Sequence, residues 1–182
     1  MPTAGLTPRH RIRLATRDAH DQVDRWFSRY DLKNPQDYRR FLTSHWSVLP
    51  GCELMIEAAG ALEILSDWPV RRRTDALAQD MSLLGQVPVT VVDTQGAISP
   101  AELWGMMYVL EGSRLGGAIL AQRVEAGPDA TCRLATAYLR HGTGLRLWPS
   151  FVAAFDAADA VNGDFEGVVA GARRTFAMFA DA

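Results

Sequence analysis

Apolar positions recur every three to four residues along most of this chain, the spacing of helices that bury one face. The first such stretch predicts a helix over residues 8–29. Thr7 is its N-cap, Pro8 takes the first helical position, and Ile12, Thr16, Ala19, Val23 and Phe27 form its apolar or small stripe. Asn34 and Pro35 repeat the cap-then-proline signal and open a second helix running towards Gly60, kinked or split at Pro50 and Gly51. A third is expected over residues 70–84. Ser99 with Glu102 three residues later forms a capping box that opens a long helix to about Val124. Pro128 and Asp129 start another, ending near Gly142 and Gly144, and two more are expected over residues 149–160 and 164–180. The run VPVTVV, residues 87–92, is the one strand-like stretch; short and isolated, it reads as an extended connector. About seven helices and no sheet define an all-α single domain over residues 1–182, with 1–7 as a flexible N-terminal segment.

Composition narrows the function classes. The chain is 48% hydrophobic and 22% charged, which suits a globular domain with a real core. No apolar stretch approaches the ~20 residues of a spanning helix, and the N-terminus lacks the apolar core of a secretory signal. Cys52 and Cys132 show neither metal-ligand spacing nor a disulfide framework, so a cytoplasmic location is expected. A net charge of −2 argues against nucleic acid as the main partner. The cations are 18 Arg and one Lys, and Arg holds carboxylates well through its planar fork.

Two features carry chemistry. His20 falls on or beside the buried stripe of the first helix, where an imidazole needs a partner. It is either a core-edge residue bonded to a carboxylate or carbonyl, or a metal or haem ligand whose other ring nitrogen is held by an acceptor. The second feature is YVLEGSRLGG, residues 108–117, in the middle of the long helix. Gly112, Gly116 and Gly117 each cost roughly 1 kcal/mol relative to Ala in a helix interior. Close helix packing or a break in the helix explains such glycines; so does close approach of the backbone to a flat ligand. Together the two features describe a sandwich, with a histidine on one side and a glycine-rich helix, kinked at the glycines, on the other.

These segments carry a resemblance. LATRDAHDQVDRWF, residues 14–27, resembles the proximal-histidine helix of haem oxygenases, and YVLEGSRLGG resembles the distal glycine helix of their bacterial members. WPSF, residues 148–151, and GARRTFAMF, residues 171–179, are similar to bacterial members too, including those associated with bacteriophytochromes. The likeness follows the whole chain in order. It implies an all-α haem sandwich that converts haem (iron–protoporphyrin IX, both cofactor and substrate), O2 and reductant into biliverdin, carbon monoxide and ferrous iron. It further implies His20 as the proximal iron ligand, with Gly112, Gly116 and Gly117 lining the distal face. Arg13 and Tyr108 would meet a haem propionate. The resemblance also implies that Gly112, Ser113 and Gly116 would form the catalytic distal wall. Some family members carry Asp directly after the first glycine. Ser113 stands there instead, able to hold water but not a negative charge, so a proton relay would use backbone, water or another side chain. Arg140, Arg146, Arg173 and Arg174 are the candidates for a second propionate contact.

The resemblance also implies an external electron donor such as a ferredoxin, a flavodoxin-type protein or a reductase, and a bilin-binding photoreceptor as product acceptor; a monomer is expected. Three other readings share parts of this pattern. The first is a haem carrier or sensor without ring-opening activity. The second is a di-iron oxidase drawing on Glu53, Glu57, Glu63 and Glu111, which lack the Glu-x-x-His pattern. The third is an interaction domain in which the run Arg71, Arg72, Arg73, with Arg25, Arg29, Arg39 and Arg40, docks an acidic partner. His10, His45 and His141 read as surface or core-edge residues.

Overall fold

α1 (Pro8–Ala15) starts at Pro8 with Thr7 in the N-cap position, although the Thr7 hydroxyl meets His10 Nδ1 at 2.8 Å and caps no backbone N–H, in a computed structural model that describes residues 5–89 and 96–182. The expected first helix is two helices. Thr16, buried, turns its hydroxyl back to the Ile12 carbonyl at 2.8 Å and leaves helical dihedrals, at φ −113° and ψ 5°. That satisfies the end of α1 and lets α2 (Arg17–Phe27) leave at a new angle. The second expected helix is likewise divided, before Pro50 and not after it: α3 (Pro35–Trp46) ends, and Pro50 falls in the first turn of α4 (Leu49–Ala58). Asn34 caps α3 through the backbone N–H groups of Gln36 and Asp37.

Two single-turn helices, α5 (Ala61–Ile64) and α6 (Trp68–Arg71), lead into α7 (Thr74–Leu83). Residues 87–89 are neither helix nor strand, and the rest of the predicted connector, 90–92, lies outside the described residues, as do residues 1–4. The capping box at Ser99 and Glu102 is formed in full and opens α8 (Pro100–Glu125). Then come α9 (Ala130–Leu134), a run of turns, α10 (Leu147–Ala157), α11 (Asp159–Gly163) and α12 (Phe165–Ala180). The helix expected to reach Gly142 stops at Leu134, and Gly142 and Gly144 adopt positive φ in the turns beyond it. Among the described residues there are twelve helical segments and no strand.

The core forms around α8 and α12. Gly167 meets Ala101, and Gly105 meets Val168 and Ala172, so the two helices run side by side in the same direction. A Cβ on Gly105 would collide with the Val168 carbonyl, and one on Gly171 with the Glu102 carbonyl. These two glycines let the backbones touch. In this register Phe176 lies level with Val109, about one turn before Gly112. α2 packs on α12, and α1 packs on both α10 and α12.

Alanine should therefore read out two kinds of glycine. Gly105→Ala or Gly171→Ala is expected to cost about 2–3 kcal/mol through overpacking, a fall of roughly 5–10 °C in melting temperature. Gly116→Ala meets nothing within 4 Å and should raise ligand-free stability by up to about 1 kcal/mol. Thermal melts of the three variants check both expectations.

Candidate functional site

α2 and α8 both pack on α12. His20 stands on α2, its side chain 57% exposed, with the edge of the Phe176 ring 5.8 Å away. It is thus beside the buried stripe and not within it. Its Nδ1 lies 3.3 Å from the Asp24 carboxylate one turn on, and 3.9 Å from Asp21. With the carboxylates on the Nδ1 side, Nε2 is the ring atom open to coordinate a metal. Two surface pockets form elsewhere, one beside Trp26 and Arg29 and one beside Glu57 and Trp68. Neither includes His20 or Gly116.

On α8, Tyr108 is half-buried against Trp148 and Phe155, at ring distances of 5.7 and 5.6 Å. Burial pushes its phenol above the usual range, while Arg13 and Arg9 pull it back down, so both guanidinium groups act on it. The Trp148 ring would lie 3.7 Å from a Cβ on Gly112, whereas a Cβ on Gly116 would meet open space. Gly117 has a different reason to be glycine: it is buried, and its Cβ would strike the Leu139 carbonyl. α8 runs unbroken through all three positions, so the glycines do not end a helix. The Ser113 hydroxyl donates to the Leu110 carbonyl at 2.8 Å and accepts from Arg73 Nη2 at 3.0 Å. Its proton is committed to the helix, and one acceptor position remains.

Behind the glycine face lies a buried ionic network that pattern reading did not find. Glu111 accepts from Arg71 Nη1 at 2.6 Å through Oε2, and from Arg114 Nε and Nη2 at 3.0 and 2.8 Å through Oε1. Arg71 also grips the Asp67 carboxylate with two nitrogens, the Leu147 carbonyl and Ser150 Oγ, and it is only 1% exposed. Arg114 reaches the Arg71 carbonyl and donates to His141 Nδ1. Arg73, also buried, ties the Leu110 carbonyl to Ser113. The run Arg71, Arg72, Arg73 is therefore no docking patch. Arg71 and Arg73 are structural, and Arg72 alone reaches solvent, paired with Glu57 at 2.9 Å. Three adjacent arginines look the same in sequence whether they face water or the core; only the buried partners tell them apart.

The remaining candidates sort in the same way. Arg140 is held by both Glu125 oxygens at 2.6 Å, Arg173 donates to the Ala15 carbonyl, and Arg174 has interactions of its own. Arg146 is exposed at the start of α10. Glu53 is buried as a remote cap for α7, accepting from Arg73 N, Thr74 N and Thr74 Oγ1. With Glu111 and Glu57 also engaged by arginine, these acids serve the fold. Among the described residues no three His, Cys, Asp or Glu converge as a metal set. Nor, among them, is any helix long and apolar enough to cross a membrane.

Comparison with known proteins identifies the family. Residues 8–182 match the family model described as "Heme oxygenase". A heme oxygenase of Xanthomonas campestris pv. campestris is 40% identical over 85 residues; the match covers 47% of this chain and 51% of that protein, so it spans about half the length of that relative. Heme oxygenase PigA of Pseudomonas aeruginosa is 27% identical over 178 residues, covering 94% of this chain and 88% of that protein. The structure of the NO- and CO-bound heme oxygenase from Neisseria meningitidis superposes with a TM-score of 0.65 at 23% identity, over 96% of this chain and 89% of that one. The chain belongs to the heme oxygenase family, and its all-α fold is that of the Neisseria protein.

The network makes two predictions. Arg71→Met removes one cation from buried Glu111 and should cost about 3–5 kcal/mol. Arg72→Met, its neighbour, should cost less than about 1 kcal/mol. Urea unfolding of both variants tests the contrast.

The second prediction concerns pH. His45, enclosed by the rings of Phe27, Phe41, Tyr138 and Phe179, and His141, beside Arg114, are pushed by burial down to about 4. Unfolded, both titrate near 6.5, so acidification below that point costs stability. Burial pushes Asp80 the other way, up to about 6, although it accepts from the backbone of Ala137 and Tyr138. Its protonated form favours the fold as pH falls through that value. Two groups oppose one, so stability should fall between pH 6.5 and 5 with a slope of about one proton. Asp80→Asn should steepen that slope; a flatter profile in the variant would refute the assignment.

Proposed function

We propose that this protein is a haem oxygenase that binds haem in the cleft between α2 and α8 and opens the ring. The observation that carries this is His20: exposed, one ring nitrogen turned to Asp24, on a helix that packs on the same partner as the glycine helix. The residues present fit such a ligand. A neutral imidazole suits the iron, and the carboxylate at Nδ1 fixes its tautomer and ring orientation. Gly116 leaves backbone bare where a flat ring would lie, and Gly112 with Trp148 bounds the same wall. Arg13 and Tyr108 are suited to a propionate, by charge-assisted hydrogen bonds from the guanidinium and by the phenol hydroxyl.

When bound, haem supplies the iron that activates O2 and is itself the ring converted to biliverdin, carbon monoxide and ferrous iron. The chain's own residues bind and orient. Bare glycine backbone sets how closely the distal wall approaches and puts no bulky group in the way of a small gas. Ser113 keeps one acceptor position at that wall, which can hold the hydrogen of an ordered water while its own proton stays on the Leu110 carbonyl. Electrons come from an external redox protein or reductase. With Arg71 and Arg73 buried, the exposed basic residues at hand are Arg17 and Arg25 on α2 and Arg29 just beyond it. Supply of bilin to a photoreceptor would follow as a use of the product.

Haemin titration followed by reductant in air tests this. A stoichiometric Soret band that decays to a bilin spectrum is expected, with His20→Ala losing the native band position and at least tenfold in turnover. A stable haem complex that never yields bilin would make the protein a haem carrier. No complex at all would overturn the reading.

A further inference from the structure

Of the four arginines considered for a second propionate contact, Arg140, Arg173 and Arg174 are engaged elsewhere, and Arg146 is exposed at the start of α10. α1 offers another. Arg9 and Arg13 are one helical turn apart and so project from the same side of the helix. Among the described residues, neither guanidinium has a hydrogen-bond or carboxylate partner, and the Tyr108 hydroxyl has none either. The helix that carries them is pinned in place. The Arg9 backbone N–H donates to Asp156 Oδ1 at 3.0 Å, and the adjacent Phe155 packs its ring on Tyr108. This one contact sets the start of α1 beside the tyrosine. Arg11, on another side of α1, is spent on the Phe165 ring, 3.8 Å from its centroid. Two unpaired arginines held near one unpaired phenol make a binding surface for a ligand with two neighbouring carboxylates.

We propose that Arg9 is the second carboxylate-binding cation of the cleft, working with Arg13 and Tyr108 so that α1 clamps both propionates of the ring; the proposal rests on the haem-binding reading above. The shared effect of both arginines on the Tyr108 phenol agrees with their nearness. The spacing suits the task, because side chains one turn apart sit about 5–6 Å apart at their Cβ atoms and the two propionates occupy adjacent positions on the ring. A two-point clamp also fixes the in-plane rotation of the ring, which a single contact leaves loose. Arg9 is thus a positioning residue for which edge of the macrocycle faces the distal wall.

The test is an equilibrium titration, read at the Soret band, with haemin and with its dimethyl ester, in which both carboxylates are masked. Arg9→Gln should weaken haemin binding about tenfold and leave ester binding at the wild-type value. Arg9→Lys should recover part of the loss. Arg11→Gln, the same charge change on the same helix, should stay within about twofold of wild type. Unchanged haemin affinity in Arg9→Gln would overturn the proposal and leave the haem-binding reading standing. So would an equal loss for haemin and ester, which would mark Arg9 as a packing residue. Failure of the wild type itself to form a Soret complex would overturn both.

Discussion

Glu111 precedes Gly112 by one residue, and the protein depends on what that carboxylate does. A helix face made of glycine has no side chains to pack, so it cannot hold itself in place. Something on the opposite face must. Glu111 is buried there between Arg71 and Arg114 and through them reaches α6, α10 and the turn at His141. Burying three charges is expensive unless each finds several partners. Arg71 finds four, and Glu111 receives three donors on two oxygens. The expense is met in full at the back of α8, and its front can stay bare.

The same division explains two kinds of glycine. Gly105 and Gly171 bring α8 and α12 into backbone contact and set the register that puts Phe176 one turn before Gly112. Gly116 lies beyond that contact, where a side chain would meet nothing. Packing glycines are needed because the neighbour is close, and cleft glycines because the neighbour is absent. Ser113 belongs to both sides at once. Its hydroxyl closes a chain from buried Arg73 to the Leu110 carbonyl, so the wall of the cleft is tied to the core through one side chain.

Much of this was legible beforehand. Caps and prolines marked the starts of α1, α3 and α8 because those signals are local and act through the backbone. The division at Thr16 was not, because Thr also fits an apolar-or-small stripe; its hydroxyl bond back to Ile12 is a property of the folded turn. The helix expected to end at Gly142 stopped at Leu134. There Asp80 from α7 takes the Ala137 and Tyr138 N–H groups, a partner 57 and 58 residues away that no local pattern contains. His20 and the glycines stood out by type and spacing. The reason for Gly117 did not, since only the Leu139 carbonyl reveals it. The arginine run was the hardest to read. Charge suggests solvent, and only a buried acid elsewhere in the chain reverses that inference.

Thr16 connects these points. Had the first helix continued straight through that residue, α1 and α2 would share one axis and pack along one partner. With the break, α2 lies on α12 with His20 at the Phe176 edge, while α1 packs on both α10 and α12, and Asp156 holds its first turn. One buried hydroxyl thus separates the helix that carries His20 from the helix that carries Arg9 and Arg13. A ligand with a metal at its centre and two acids on one edge needs that separation, because its centre and its edge must be held from different directions. An unbroken helix would place Arg9, Arg13 and His20 in a single row.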